Sequence, residues 1–170
     1  MRPEQKSEYR EYVAARWTAM RNFAYLTCGD WHRAEDATQT AFIKLYAAWN
    51  RASRASLDAY TRRIIVNGLI DEHRRGWFRR ERPHDELPNL PGPELDSPQR
   101  ITVLETLAAL PPRQRATIVL RFWEDQSVQE TAKTLKCSVN TVKTQTARGL
   151  QTLRGLLAET INEQLEGNLR

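Results

Sequence analysis

The sequence predicts an all-α protein, two small helical domains joined by an extended, acidic, proline-rich linker. Three observations carry this. Apolar residues recur at helical spacing through both halves, and no strand-period segment of any length appears. Glu81 to Arg100, "ERPHDELPNLPGPELDSPQR", holds five of the chain's eight prolines, with five acids against two arginines. Thr131 to Ala158, "TAKTLKCSVNTVKTQTARGLQTLRGLLA", holds five basic residues and no Asp or Glu over 28 positions, in a chain that is 28% charged.

A length of 170 residues accommodates one ordinary domain or two small ones. The net charge of +5 points to an anionic partner, nucleic acid above all. No apolar run approaches the roughly 20 residues that span a bilayer. The opening "MRPEQKSEYREY" is polar and lacks the apolar core of a secretion signal. The expected location is therefore the cytoplasm, without membrane insertion. Cys28 and Cys137 lie far apart, no CxxC pair exists, and His32, His73 and His84 are scattered. This spacing predicts two reduced thiols near the cores, with no disulfide, metal site or cofactor. An enzyme finds no support in a His/Cys cluster, a glycine-rich phosphate loop or a nucleophile–base pair.

In the first half, Tyr12, Val13, Trp17, Met20, Ala24 and Leu26 recur at helical spacing, and Gly29 in "TCGD" is the stop. The next helix, "RAEDATQTAFIKLYAAW", places Ala37, Ala41, Leu45 and Ala48 on one face. Asp36, Gln39, Thr40 and Ile43 lie around its other side. Asn50 to Ser56 is a polar loop that includes Arg51 and Arg54. A third helix, "LDAYTRRIIVNGLIDEHRRGWFRR", buries Ile64, Ile65, Leu69 and Ile70. It also carries Arg62, Arg63, Asn67, Arg74 and Arg75. Seven arginines stand against three acids between Arg62 and Arg82. Its later arginines, Arg79, Arg80 and Arg82, also suit a plain solvated helix end.

The prolines of residues 81–100 forbid a regular helix and leave a sheet ladder without donors. Beyond them, Val103, Leu104, Leu107 and Leu110 form a short amphipathic helix. Pro111 and Pro112 break it, and proline at a first helical turn lets a new helix run through Trp123.

Ser127-Val128-Gln129-Glu130 is a capping box that opens a helix with Ala132 and Leu135 inward. "LKCS" is a tight connection, and Ser138 caps a second helix through about Leu157. Glycine is the easiest residue for the turn position that Lys136 holds. At about 100° per residue, Val139, Val142, Thr146, Leu150 and Leu153 share one side of the second helix. Asn140, Thr144, Ala147, Arg148 and Gln151 share the other, with Thr141 and Lys143 on the flanks. Two helices across a tight turn, with such a face, describe a helix-turn-helix. Short Thr and Asn side chains suit base edges, and Lys and Arg suit guanine or phosphate. A carboxylate there would be repelled by phosphates, which accounts for the missing acids. A solvated surface helix is the plainer alternative.

Together, "AEDATQTAFIKLYAAW", "AYTRRIIVNGLIDEHRR", the proline-rich linker with "DELP", and "LAALPPRQRATIVLRFWEDQSVQETAKTLKCSVNTVKTQTARGLQTLR" resemble a bacterial extracytoplasmic-function (ECF) sigma factor of the sigma-70 family. The wording is most similar to the actinobacterial SigE-type subgroup. The resemblance covers about Tyr9 to Leu157. It implies a sigma-2 domain (1–80) that binds core RNA polymerase and opens the minus-ten element. A linker (81–100) then leads to a sigma-4 domain (101–165) that reads the minus-thirty-five element, with a tail at 166–170. It implies no catalytic reaction. The implied partners are core RNA polymerase, through its beta-prime clamp helices and beta flap, promoter DNA, and an anti-sigma factor such as holds many members silent.

By motif, the resemblance gives Asp36, Gln39, Thr40 and Ile43 to the clamp helices. Relatives more often place an acid where this chain has Thr40. Asn50, Arg51, Arg54 and Ser56 match the loop that captures an unstacked base, and Asn67 matches the asparagine of the helix that reads the minus-ten element. Arg62, Arg63, Arg74 and Arg75 accompany it. Lys143, Thr144 and Arg148 match base- and phosphate-contacting positions, beside Ser138, Asn140 and Thr141. Ala147 replaces a larger side chain, which implies a different sequence preference. Arg113 and Arg115, near a helix start, are candidates for phosphate contacts, or serve solubility alone. The rival reading is a conventional helix-turn-helix regulator acting without polymerase, which leaves the first 80 residues unexplained.

Overall fold

The computed structural model describes residues 1–78 and 98–168. Every regular element among them is helical. Contacts divide the chain into two units, Met1–Asn89 and Leu90–Arg170. The linker expected at 81–100 falls outside the described residues as far as residue 97, as do Arg79, Arg80 and Arg82.

In the first unit, α1 (Pro3–Cys28), α2 (Trp31–Ala48) and α3 (Leu57–Phe78) pack pairwise. Gly29 ends α1 with φ 74°, and its N–H donates to the Tyr25 carbonyl at 2.7 Å. Glycine adopts this left-handed geometry without a Cβ penalty. Asp30 then caps α2 by accepting the Arg33 N–H at 3.1 Å. The core is built from Met20, Phe23 and Ala24 of α1, from Phe42 and Leu45 of α2, from Ile65, Val66 and Leu69 of α3, and from Trp49. Buried Thr38 and Thr61 donate to the carbonyls four residues back, at 2.7 and 2.8 Å. Those bonds offset the cost of burying a hydroxyl. Ala37 and Ala48 are only half-buried, while Ala34, Thr38 and Phe42 join Ala41 and Leu45 inside. The single stripe read from the sequence was too narrow, because α2 packs on both α1 and α3. Ile64 is likewise half-buried, and Val66 takes the inner place.

The second unit comprises α4 (Pro98–Ala108), α5 (Pro112–Ile118), α6 (Val128–Leu135) and α7 (Val139–Asn168). A wider π-type turn continues α5 over Val119–Trp123. Leu107, Leu110, Ala116, Ile118, Leu120, Ala132, Leu135 and Val142 line the core. Val103, expected inside, is 51% exposed, while Thr106 and Leu107, toward the C-terminal end of α4, are buried. α7 continues past the expected end at Leu157 to Asn168. The last proline of the chain is Pro112, so nothing there forces a stop. At Gly149, α7 lies so close to α5 that a Cβ would sit 2.9 Å from Ile118 Cγ1.

Candidate nucleic-acid interface

The α6–α7 pair is held by local chemistry at both ends of its turn. Ser127 Oγ accepts the Glu130 N–H at 3.1 Å, and Glu130 Oε2 accepts the Ser127 N–H at 2.7 Å. This is the capping box read from the sequence. Lys136 takes φ 55°, ψ 47°, the left-handed conformation expected of a glycine. It lets the Cys137 N–H reach the Ala132 carbonyl at 3.0 Å. Ser138 Oγ then accepts the Thr141 N–H at 3.1 Å and lies 2.9 Å from the Thr141 hydroxyl. Both hydroxyls therefore fix the start of α7.

Val142 is fully buried and anchors α7. Asn140, Lys143, Thr144, Ala147, Arg148 and Gln151 are exposed, as the helical winding predicts. The ion pairs among the described residues all lie between Glu8 and Glu72, so none engages Lys143 or Arg148. No carboxylate occurs on α7 before Glu159. Arg113, on α5, is exposed and near enough to Cys137 for its charge to act on the thiol. Burial raises the Cys137 pKa, and Arg113 opposes that rise. α5, which carries Arg113, packs against α7. Arg115 is different. Only 6% exposed, it is withdrawn into the unit and stands apart from any surface for phosphate.

In the first unit, Asp36, Gln39, Thr40 and Ile43 are all exposed on α2, with Ile43 at 68%. At i, i+3, i+4 and i+7 they form one contiguous patch. Exposed Tyr46 extends it and was missed in the sequence, although it stands three residues beyond Ile43. Exposed Phe122 and Trp123 were missed as well. They lie at the end of the π-type turn.

The loop between α2 and α3 presents Asn50, Arg51 and Ser56 to solvent. Arg54 is exposed yet engaged. Its guanidinium lies 4.0 Å from the Trp49 ring centroid, and its Nη2 donates to Glu8 Oε2 at 2.8 Å. On α3, Arg63, Arg74 and Arg75 are exposed. Arg62 is largely covered and lies 3.8 Å from Asp58. Asn67 is half-buried, and its Nδ2 donates to the Arg63 carbonyl at 2.8 Å. Among the described residues, no group of three His, Cys, Asp or Glu is placed to hold a metal ion. No described helix is long and apolar enough to cross a membrane.

Comparison with known proteins agrees with this two-unit layout. Residues 9–79 match the family model for sigma-70 region 2, and residues 100–153 match that for sigma-70, region 4. The RNA polymerase sigma-E factor of Streptomyces avermitilis is 36% identical over 86% of this chain and 83% of its own length. That of Streptomyces coelicolor is 35% identical over 86% and 84%. Among solved structures, the sigma factor RpoE in complex with the anti-sigma factor NepR, from Bartonella quintana, has a similar fold. Its TM-score is 0.72 at 20% identity, over 89% of this chain and 97% of that one. With both regions matched in order and relatives similar across most of their length, the chain belongs to the ECF sigma factors of the sigma-70 family, in the SigE-like group of actinobacteria.

Proposed function

We propose that this chain binds core RNA polymerase and directs it to a particular set of promoters. Its second unit docks on minus-thirty-five duplex, and its first unit reads and opens the minus-ten element. The observation that carries this reading is the carboxylate-free, exposed face of α7 in a helix-turn-helix, on one chain with a sigma-70 region 2. Lys143, Arg148 and Arg113 supply cations for phosphate and guanine, and Asn140 and Thr144 supply short hydrogen-bonding groups for base edges. Ala147 leaves space between them. The α2 patch around Ile43 is the polymerase contact for the clamp helices, and Phe122 and Trp123 suit an apolar contact with the beta flap. Asn50 and Arg51 receive an unstacked base and its backbone, which offsets part of the few kcal/mol that extruding a base costs. The protein acts as an address for polymerase, without a reaction of its own, in the cytoplasm. An anti-sigma factor is a further partner, by analogy with the Bartonella quintana complex.

The test is a pair of substitutions in reconstituted transcription. Asn67→Ala should lower open-complex formation while core polymerase is still retained in a pull-down. Arg148→Ala should weaken promoters that need the upstream element by roughly fivefold or more, the worth of one good base or phosphate contact. Loss of polymerase binding equal to the loss of opening in Asn67→Ala would remove that residue from the minus-ten site. Unchanged transcription across a promoter panel in Arg148→Ala would remove α7 from duplex reading.

A further inference from the structure

Resting on the assignment of the Asn50–Ser56 loop to strand capture, we infer that α1 is the frame that holds this loop in its capture geometry, with Glu8 and Arg54 as positioning residues.

Three residues on one stripe of α1, Glu8, Tyr12 and Arg16, engage both ends of the loop. Within the loop, Arg54 Nη2 donates to Glu8 Oε2 at 2.8 Å. Arg54 also folds back over Trp49, the residue just before the loop, and so ties its near end. Its Nη1 donates to the Trp49 carbonyl at 3.4 Å, and its guanidinium covers the Trp49 ring. Trp49 itself is 2% exposed, with Tyr9 at 5.3 Å and 88° and Tyr12 at 5.9 Å. At the far end, Asp58 opens α3. Its carboxylate accepts the Tyr12 hydroxyl at 2.7 Å, and Arg16 Nε and Nη2 at 3.1 and 2.7 Å. Burial and the neighbouring Asp58 hold the Tyr12 pKa above its usual value, so this hydroxyl stays a donor. The intervening loop is tightened by the Ser56 N–H on the Ser53 carbonyl at 3.0 Å.

Arg54 therefore acts on DNA through the shape of the loop, while Asn50 and Arg51 remain on its exposed side. Glu8 makes the argument testable by sign. A carboxylate beside a nucleic-acid loop repels phosphate, so electrostatics alone predicts that Glu8→Gln tightens DNA binding. The frame predicts the opposite. An exposed pair contributes little to stability, so the loss falls on loop geometry and not on folding.

The experiment uses the full chain with core polymerase on a promoter fragment that the wild-type holoenzyme transcribes. Opening is read by permanganate reactivity of unpaired thymines at several salt concentrations. Glu8→Gln should slow opening by about two- to fivefold, the fold-change equivalent of an exposed ion pair. Arg54→Gln should do the same, and the double variant should be no worse than either single. Unfolding temperature, polymerase retention and the salt slope of opening should match the wild type. Faster or unchanged opening in Glu8→Gln, additive losses in the double variant, or a salt slope lowered by about one phosphate in Arg54→Gln would each overturn the frame. Opening unchanged by Asn50→Ala and Arg51→Ala would instead bring down the capture-site assignment, and the frame with it.

Discussion

Lys136 carries the cost of the turn that aims α7. A side chain in left-handed backbone costs about 1–2 kcal/mol, yet the Cys137 N–H reaches the Ala132 carbonyl only through such a residue. Lys136→Gly should therefore stabilise the chain by about 0.5–1 kcal/mol, once glycine's larger unfolded-state freedom is counted. A higher unfolding temperature with unaltered promoter choice is the expected result. The position was legible in the sequence as one that favours glycine, and so was the exposed face from Asn140 to Arg148. The arginines were not legible. Arg54, Arg62 and Arg115 sit in stretches rich in cations, and sequence spacing gives each the same prospect of meeting phosphate. What separates them is remote: Arg54 meets Glu8, 46 positions away, and Arg115 is covered by its unit.

Two glycines show what an element needs. Gly68 in α3 has no atom within 4 Å of a prospective Cβ, whereas Gly149 in α7 faces Ile118 Cγ1 at 2.9 Å. Glycine in a helix interior costs about 1 kcal/mol relative to alanine. Gly68→Ala should accordingly stabilise the chain by about 0.5–1 kcal/mol. At Gly149 the same gain meets overpacking of about 1–3 kcal/mol against a buried, β-branched neighbour. Gly149→Ala should thus destabilise, and by loosening α5 against α7 it should also weaken reading by α7. Denaturant midpoints of the two variants, moving in opposite directions, check this. Capping residues and helix order were written locally and could be read without coordinates. The buried faces of α2 and α4 could not, because the number of neighbouring helices, and not the 3.6-residue repeat, decides which positions are covered.

At the scale of the whole chain, splitting promoter recognition between two tethered units lets each bind weakly and gain from the other through effective concentration. This fits a chain of modest net charge, +5, with exposed cations on α3 and on the carboxylate-free face of α7. The order of regions was legible because its motifs are local, as the matches at residues 9–79 and 100–153 agree. The exposed patch on α2 was legible but incomplete without Tyr46, and in the second unit exposed Phe122 and Trp123 were missed, because exposure depends on packing. The measurement that bears most directly on the whole account is transcription by sigma-free core polymerase on pooled genomic fragments from the source organism, with and without this protein. Discrete transcripts that require the added chain, and share two upstream elements, are the predicted result. No transcripts, together with a duplex mobility shift that needs no polymerase, would contradict it and make the chain a conventional DNA-binding regulator.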